Sequence, residues 1–479
     1  MKNKSTLYDM IVIGAGSGGL GMSLFLNKIG LKVLLIDKTD KNIGGDCLNY
    51  GCVPSKALIH LSRIIHDAKK AETLGLTLSG KLDINKVANY IDAKQNIIRR
   101  HENADYILQQ GVDMILGTAS FAGKNSIRVN DKIYTGKRIV LASGSHPRKL
   151  NIPGIEQVLY YDNESIFDLM HLPERWLVVG GGPIGMEIGQ ALNRLGSKVS
   201  VVQSGNRILP HDEESVTGIL LEQLQKEGMQ FIFNARPVKF VSPTEAIIQT
   251  KDNRIQSLHF DAVMAAVGRE SHLDELDLPR AGIQVENHKI ASNKFLRTTN
   301  KHVYVCGDIA GNLQFSHAAE QHVRLLLNNF LSPFKKRLDN SHMSWVTFTD
   351  PELATFGLNE TRLQKGKRSF EKLEFNFDED DRAVVDDYTY GKLILYISKK
   401  KVFGKTKILG GVMIAPHAGE LIQELILMNT AGLSINKIFN KIYPYPVASR
   451  VNQHIIANYK SQQLTLLLIK ILKKMYRLF

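Results

Sequence analysis

Two of the three cysteines of this chain, Cys47 and Cys52, sit in the run Gly44-Gly45-Asp46-Cys47-Leu48-Asn49-Tyr50-Gly51-Cys52-Val53-Pro54-Ser55-Lys56. On a regular helix that spacing climbs ~7.5 Å. A disulfide wants a Cα separation of ~4.4–6.8 Å. A Cys47–Cys52 bond therefore needs a distorted first turn, and Gly51 makes the distortion cheap. Pro54 suits the first position of a helix, which puts Cys52 at a helix N-terminus, where the dipole favours thiolate over thiol. The chemistry this pattern can do is dithiol–disulfide exchange. The bland alternative is two buried, inert cysteines.

The elements that must position such a pair are legible on either side of it. The apolar run Asp9–Ile13 ends in Gly14-Ala15-Gly16-Ser17-Gly18-Gly19, a helical pattern follows to about Ile29, and a second strand from Lys32 to Ile36 ends at Asp37. Strand, glycine loop, helix, strand and acid in this order form a dinucleotide-binding fingerprint. Gly14, Gly16 and Gly19 let the backbone approach a pyrophosphate, and Asp37 binds a ribose hydroxyl. Helical, mixed-charge sequence fills roughly 56–110, short alternating strands run from Val112 to about Arg128, and a strand from Arg138 enters the turn Ser143-Gly144.

A second unit of the same kind begins at Trp176–Val179. Gly180, Gly182 and Gly185 repeat the loop, a helix runs to Leu195, and a strand from Lys198 to Val202 follows. Gln203 stands where an acid would end that strand, and Arg207 lies four residues on. A neutral amide neither binds a ribose diol as firmly as a carboxylate nor repels a 2′-phosphate, so NADH and NADPH both stay open, with a lean to NADPH. Two units predict two dinucleotides, FAD on the first and a nicotinamide nucleotide on the second. The strands Phe260–Val267, entering Gly268, and Val303–Val305, ending at Cys306-Gly307-Asp308, close the two units. Cys306 reads as a core residue.

From about Met343 the texture changes to alternating strands (345–348, 391–397, 408–414) and later helices (417–428, 434–438), the pattern of an antiparallel sheet domain of the kind that carries subunit interfaces. In Leu464–Phe479 the apolar side chains cover an arc of about 200° on a helix. Lys470, Lys473, Lys474 and Arg477 cluster opposite, with Leu466 intruding. This stripe either packs on its own protein or makes peripheral contact with the cytoplasmic face of an anionic membrane.

Composition sets outer bounds. A chain of 479 residues holds about three ordinary domains. Three cysteines do not make a secreted disulfide scaffold, which points to a reducing, cytoplasmic setting. Met1–Asp9 runs straight into a strand and leaves no room for a leader, and no apolar window reaches the ~20 residues of a membrane span. The net charge of +14 comes without a nucleic-acid recognition module, so no nucleic-acid partner is expected.

Together these motifs resemble the pyridine nucleotide-disulfide oxidoreductases, the flavoprotein group that includes glutathione reductase, dihydrolipoyl dehydrogenase and mercuric reductase. The resemblance covers about residues 7–460 and rests on both glycine loops, the cysteine run, Glu187, Val267-Gly268-Arg269 and Cys306-Gly307-Asp308. It implies an α/β fold of two Rossmann-like domains plus an α+β dimerisation domain. The expected boundaries are 1–150 with 270–340 for FAD, 151–269 for NAD(P), 341–460 for dimerisation and 461–479 for a basic amphipathic tail. It also implies a homodimer in which NAD(P)H reduces FAD, FAD reduces the Cys47–Cys52 disulfide, and the dithiol reduces an outside acceptor. By the same resemblance Cys52 faces the flavin, Cys47 attacks the substrate, and Lys56 pairs with Glu187 near the flavin. Lys38, Gly45, Ala119, Ser143, Gly144, Asp308 and His317 fall at cofactor-contacting positions.

One departure stands out. Disulfide reductases of this family carry His-Pro-Thr-x-x-Glu in the third domain as the acid/base of the dithiol. Here the run is Tyr445-Pro446-Val447-Ala448-Ser449-Arg450. A tyrosine, with an ordinary pKa of ~10, is a poor base at neutral pH. This argues against dihydrolipoamide or glutathione and for a soft metal ion, an unusual disulfide or an oxidised small molecule. The delivery cysteines of mercuric reductases are missing as well. The alternative from another class is a membrane-attached flavoprotein that feeds a quinone or a partner protein.

Overall fold

The computed structural model describes residues 7–399 and 404–479; the expectation about the first residues of the chain lies largely outside that range. The described chain forms two compact units, residues 1–204 with 234–338, and residues 205–233 with 339–479.

In the first unit the strand Leu7–Ile13 is the axis of the larger sheet. It pairs in parallel with Val33–Asp37 on one side and with Lys132–Leu141 on the other. The sheet order is Asp113–Leu116, Val33–Asp37, Leu7–Ile13, Lys132–Leu141, Ser126–Val129, Ala119–Gly123, and Val303–Val305 also pairs with Lys132–Leu141. Ile11, Val12, Leu34, Leu35, Val140 and Leu141 are fully buried, as continuous apolar strands covered on both faces must be. Each parallel crossover delivers a helix, and the first, Ser17–Lys28, starts directly at the glycine loop.

A second parallel sheet places Lys198–Val202, Arg175–Val179, Ala262–Ala265 and Tyr160–Tyr161 side by side. Its helix Pro183–Arg194 again begins at a glycine, Gly182, with Pro183 in the first turn. An antiparallel meander, Ala235–Ser242, Glu245–Thr250 and Ile255–His259, completes this part.

The second unit is built on an antiparallel sheet ordered Ser344–Thr347, Glu352–Gly357, Ile408–Ala415, Lys392–Ser398, Phe370–Asn376. The strands Glu352–Gly357 and Phe370–Asn376 escape the sequence pattern. All six residues of the first are buried, so it shows no alternation. The helix expected over 417–428 breaks into Ala418–Leu421 and Gln423–Ala431. Residues 205–233 join this unit through Asp212, whose Oδ1 accepts from Trp345 Nε1 at 2.8 Å and from Thr355 Oγ1 at 2.7 Å. No described helix is long and apolar enough to cross a membrane.

Candidate active site

The distorted turn that the cysteine spacing demands is present. A five-residue helix, Gly45–Asn49, carries Cys47, and a new helix begins at Cys52 after the break at Tyr50-Gly51. Gly51 is irreplaceable there, since a Cβ would meet Asp46 Oδ2 at 2.8 Å and Asp46 O at 2.9 Å. Both cysteines are free thiols, Cys47 half-buried and Cys52 exposed.

The two thiols are hydrogen-bonded to each other. That bond, together with the positive charge of Lys56, pulls the Cys52 thiol down to about 6, against the opposing effect of desolvation. Cys47 moves the other way, because it donates to the Cys52 sulfur and is partly buried. Ser316 Oγ lies 3.7 Å from Cys52 Sγ. The pair is therefore asymmetric at neutral pH, with Cys52 as thiolate and Cys47 as thiol.

One turn after Cys52, Lys56 Nζ reaches Glu187 Oε2 at 2.8 Å. Glu187 lies on the helix Pro183–Arg194, so the bridge ties the helix of the dithiol to the helix that opens at the second glycine loop. Cys306 is buried beneath the first loop, where burial holds its thiol up at about 12, and it takes no part in this cluster. His317 stacks on Phe315 with centroids 5.2 Å apart.

A cleft of about 170 Å³ opens beside the first glycine loop, lined among others by Gly14, Asp37, Lys38, Ala119, Ser143 and His146. The loop packs as tightly as its glycines allow. A Cβ on Gly19 would fall 1.8 Å from Gly14 O, and one on Gly45 would fall 2.7 Å from Gly16 Cα, at a φ of +62° that side chains avoid. Asp37 Oδ2 accepts from the Ala15 N–H at 2.6 Å, fixing the acid against the loop. Lys38 closes one wall through Glu275 at 2.7 Å. His146 Nδ1 is buried and has no hydrogen-bond partner among the described residues. The space beside Gly144 is open. A glycine cradle at a helix N-terminus, a carboxylate at the strand end and an orphaned ring nitrogen fit an adenine dinucleotide.

The second loop has the same build. A Cβ on Gly180 would lie 2.3 Å from Ala266 O, and one on Gly185 would lie 2.1 Å from Gly180 O, while Gly182 faces open space. Gln203 Oε1 accepts from the Gly181 N–H at 3.0 Å and so occupies the position of the ribose acid. Arg207 donates to Pro210 O at 2.7 Å, Asp212 O at 2.9 Å and Thr217 Oγ1 at 3.3 Å.

Sequence reasoning passed over one network. Arg269 Nη2 donates to Asp46 Oδ1 at 2.9 Å, and its Nε donates to Ser145 Oγ at 2.9 Å. Ser145 in turn donates to Asp308 Oδ2 at 2.6 Å. Burial raises the Asp308 carboxyl, and this hydrogen bond opposes the rise. The acid next to the first cysteine is thus clamped to the turn after Gly268, directly beside the dithiol. A charged residue inside an otherwise glycine-rich, apolar run was the available signal.

In the second unit, Tyr445 is two-thirds exposed and donates its hydroxyl to Asp381 Oδ2 at 3.1 Å, which raises the phenol further above its usual range. Arg450 lies 5.4 Å over the Tyr445 ring.

A model of the pyridine nucleotide-disulphide oxidoreductases matches residues 8–322, and one of their dimerisation domain matches residues 343–455. The dihydrolipoyl dehydrogenase of Mycoplasma genitalium is 31% identical over 93% of this chain and 96% of its own. The mercuric reductase of Lysinibacillus sphaericus is 29% identical over 91% of this chain and 80% of its own. Among solved structures, the HOCl-induced flavoprotein disulfide reductase RclA of Escherichia coli matches with a TM-score of 0.82 at 24% identity, covering 94% of this chain and 99% of that one. The Cu(II) complex of that protein matches with a TM-score of 0.81 at the same identity and over the same shares.

Proposed function

The chain belongs to the pyridine nucleotide-disulphide oxidoreductases, FAD- and NAD(P)H-dependent enzymes with a redox-active disulfide, and on that premise we propose that it reduces a soft metal ion through Cys47 and Cys52. The observation that carries this reading is the environment of Tyr445. Its hydroxyl is committed to Asp381 and its proton is held more tightly than usual, so it is no acid/base for a dithiol substrate at neutral pH. A metal ion that binds thiolates needs no such base. Mercuric reductases among the relatives agree with that acceptor class.

FAD, when bound, would supply the two-electron link from NAD(P)H to the disulfide. This chain's residues do the rest. Gly14, Gly16, Gly19, Asp37 and Asp308 would hold the flavin nucleotide, and Gly180, Gly182, Gly185 and Gln203 would hold the nicotinamide nucleotide. NAD(P)H and one proton supply two electrons and two protons, which open the Cys47–Cys52 bond to two thiols. Cys52 loses its proton readily because Cys47 and Lys56 stabilise the thiolate. Cys47 binds the acceptor, two electrons leave, both protons are released and the disulfide re-forms. The protein works as a homodimer through residues 343–455 in the reducing cytoplasm, and the subunits' dithiols act on acceptors from solution.

The test is steady-state oxidation of NADPH and NADH with Hg(II), Cu(II), lipoamide, cystine and a soluble quinone as acceptors. The proposal expects turnover with a metal ion that Cys47→Ser abolishes, and little with lipoamide or cystine. Turnover with quinone alone, untouched by Cys47→Ser, overturns it.

A further inference from the structure

The helix Leu466–Tyr476 buries none of its side chains. Thr465 starts it, its Oγ1 accepting from the Leu468 N–H at 3.2 Å. Leu467, Leu468, Ile471, Leu472 and Met475 lie along one side, and Lys470, Lys473 and Lys474, with Arg477 just past the helix end, along the other, where Leu466 intrudes. Leu468, at the middle of the apolar side, is 38% exposed, and Leu472 and Met475 are 46% and 47% exposed. No core formed by the described residues buries that side. So short a helix is marginal in water without a surface to lie on.

The charge on the opposite side selects the surface. Glu424 is the last acidic residue of the sequence; from Leu425 to Phe479 there is no Asp or Glu, while Lys437, Lys441, Arg450 and Lys460 precede the four cations of the helix. A second copy of the helix would cover the apolar side but leave the cations, turned outward, without counter-charges. An anionic bilayer satisfies both sides at once, with acyl chains below and headgroups at the flanks. Eleven residues rise ~16 Å, about half of a hydrocarbon core, so the helix lies along the surface and does not cross it.

We propose that Leu466–Tyr476 is a membrane-surface helix that docks the flavoprotein on anionic lipid. This is independent of which acceptor the dithiol reduces.

The test is flotation of the full-length, FAD-loaded protein with vesicles of phosphatidylcholine alone or mixed with phosphatidylglycerol. The protein should float with the mixed vesicles, stay behind with the neutral ones, and be released by high salt. Reversing Lys473→Glu and Lys474→Glu together should lower binding at least about tenfold, given what each basic residue contributes near an anionic surface. Leu472→Ser with Met475→Ser should weaken it comparably, and both variants should keep the wild-type mass in solution and NAD(P)H reduction of the flavin. Failure of the wild-type chain to float with mixed vesicles overturns the proposal. So does flotation that neither variant changes, or a change of oligomeric mass in the variants, which would assign the apolar side to a second copy.

Discussion

Lys56 Nζ and Glu187 Oε2, 131 positions apart in the chain, meet at 2.8 Å and join the helix that starts at Cys52 to the helix that starts after Gly182. Glu187 is nearly buried, whereas Lys56 keeps about a third of its side chain in water, so screening trims what the pair contributes. Glu187→Gln should cost about 1–2 kcal/mol by removing the carboxylate from the pair. Its electrostatic effects on the dithiol are opposite for the two partners. Glu187→Gln strengthens the positive field at Cys52 and lowers the pH at which it becomes reactive, while Lys56→Met raises that pH. Rates of iodoacetamide alkylation of the reduced protein against pH would show both shifts.

The low-lying Cys52 thiol gives a direct pH prediction. Below about 6 it is protonated and slow to alkylate; above about 6 it is thiolate and fast. The rate should therefore rise with pH through a midpoint near 6. The hydrogen bond from Cys47 is the largest cause, so Cys47→Ala should move the midpoint up toward ~8.5, the value of an ordinary thiol. A midpoint unchanged in Cys47→Ala would mean that the bond does not set the thiolate.

Arg269 holds three acceptors at once, Asp46 Oδ1, Ser145 Oγ and Ser145 O, each at 2.9 Å, and only a tenth of its side chain is exposed. Arg269→Met should cost about 2 kcal/mol, because Asp46 is left with the longer bond from Asn163 at 3.3 Å. Arg269→Lys should recover only part of this, since an ammonium lacks the fork that spans Asp46 and Ser145. Denaturant unfolding of the three proteins, followed by circular dichroism, measures the order.

Gly185→Ala separates the two nucleotide sites. The new Cβ would fall 2.1 Å from Gly180 O and force the second loop open, leaving the first loop untouched. The variant should be isolated with wild-type FAD content yet bind NADPH and NADH at least about tenfold more weakly, as loss of one close backbone approach can cost more than ~1.4 kcal/mol. Equilibrium titration with either nucleotide decides this.

What the sequence made legible was local. The glycine loops, the acid at Asp37, the broken helix between Cys47 and Cys52 and the helical stripe after Thr465 all follow from spacing within about thirty residues. What escaped was made of partners far apart in the chain. Arg269 and Asp46 are 223 positions apart, and Asp308 and Ser145 are 163 apart; no periodicity links them. Glu352–Gly357 escaped for a different reason, because a central strand buried on both faces loses the alternation by which strands are read.

The most direct test of the dithiol's place in the circuit is an anaerobic titration of the FAD-loaded protein with NADPH and with NADH, followed in the visible spectrum. If Cys52 is the thiolate that meets the bound flavin, as proposed, a long-wavelength charge-transfer band should appear after two electrons per subunit, and Cys52→Ser should lack it. Simple bleaching of the flavin in the wild-type protein, with no such band, would contradict the account and take Cys47 and Cys52 out of the electron path.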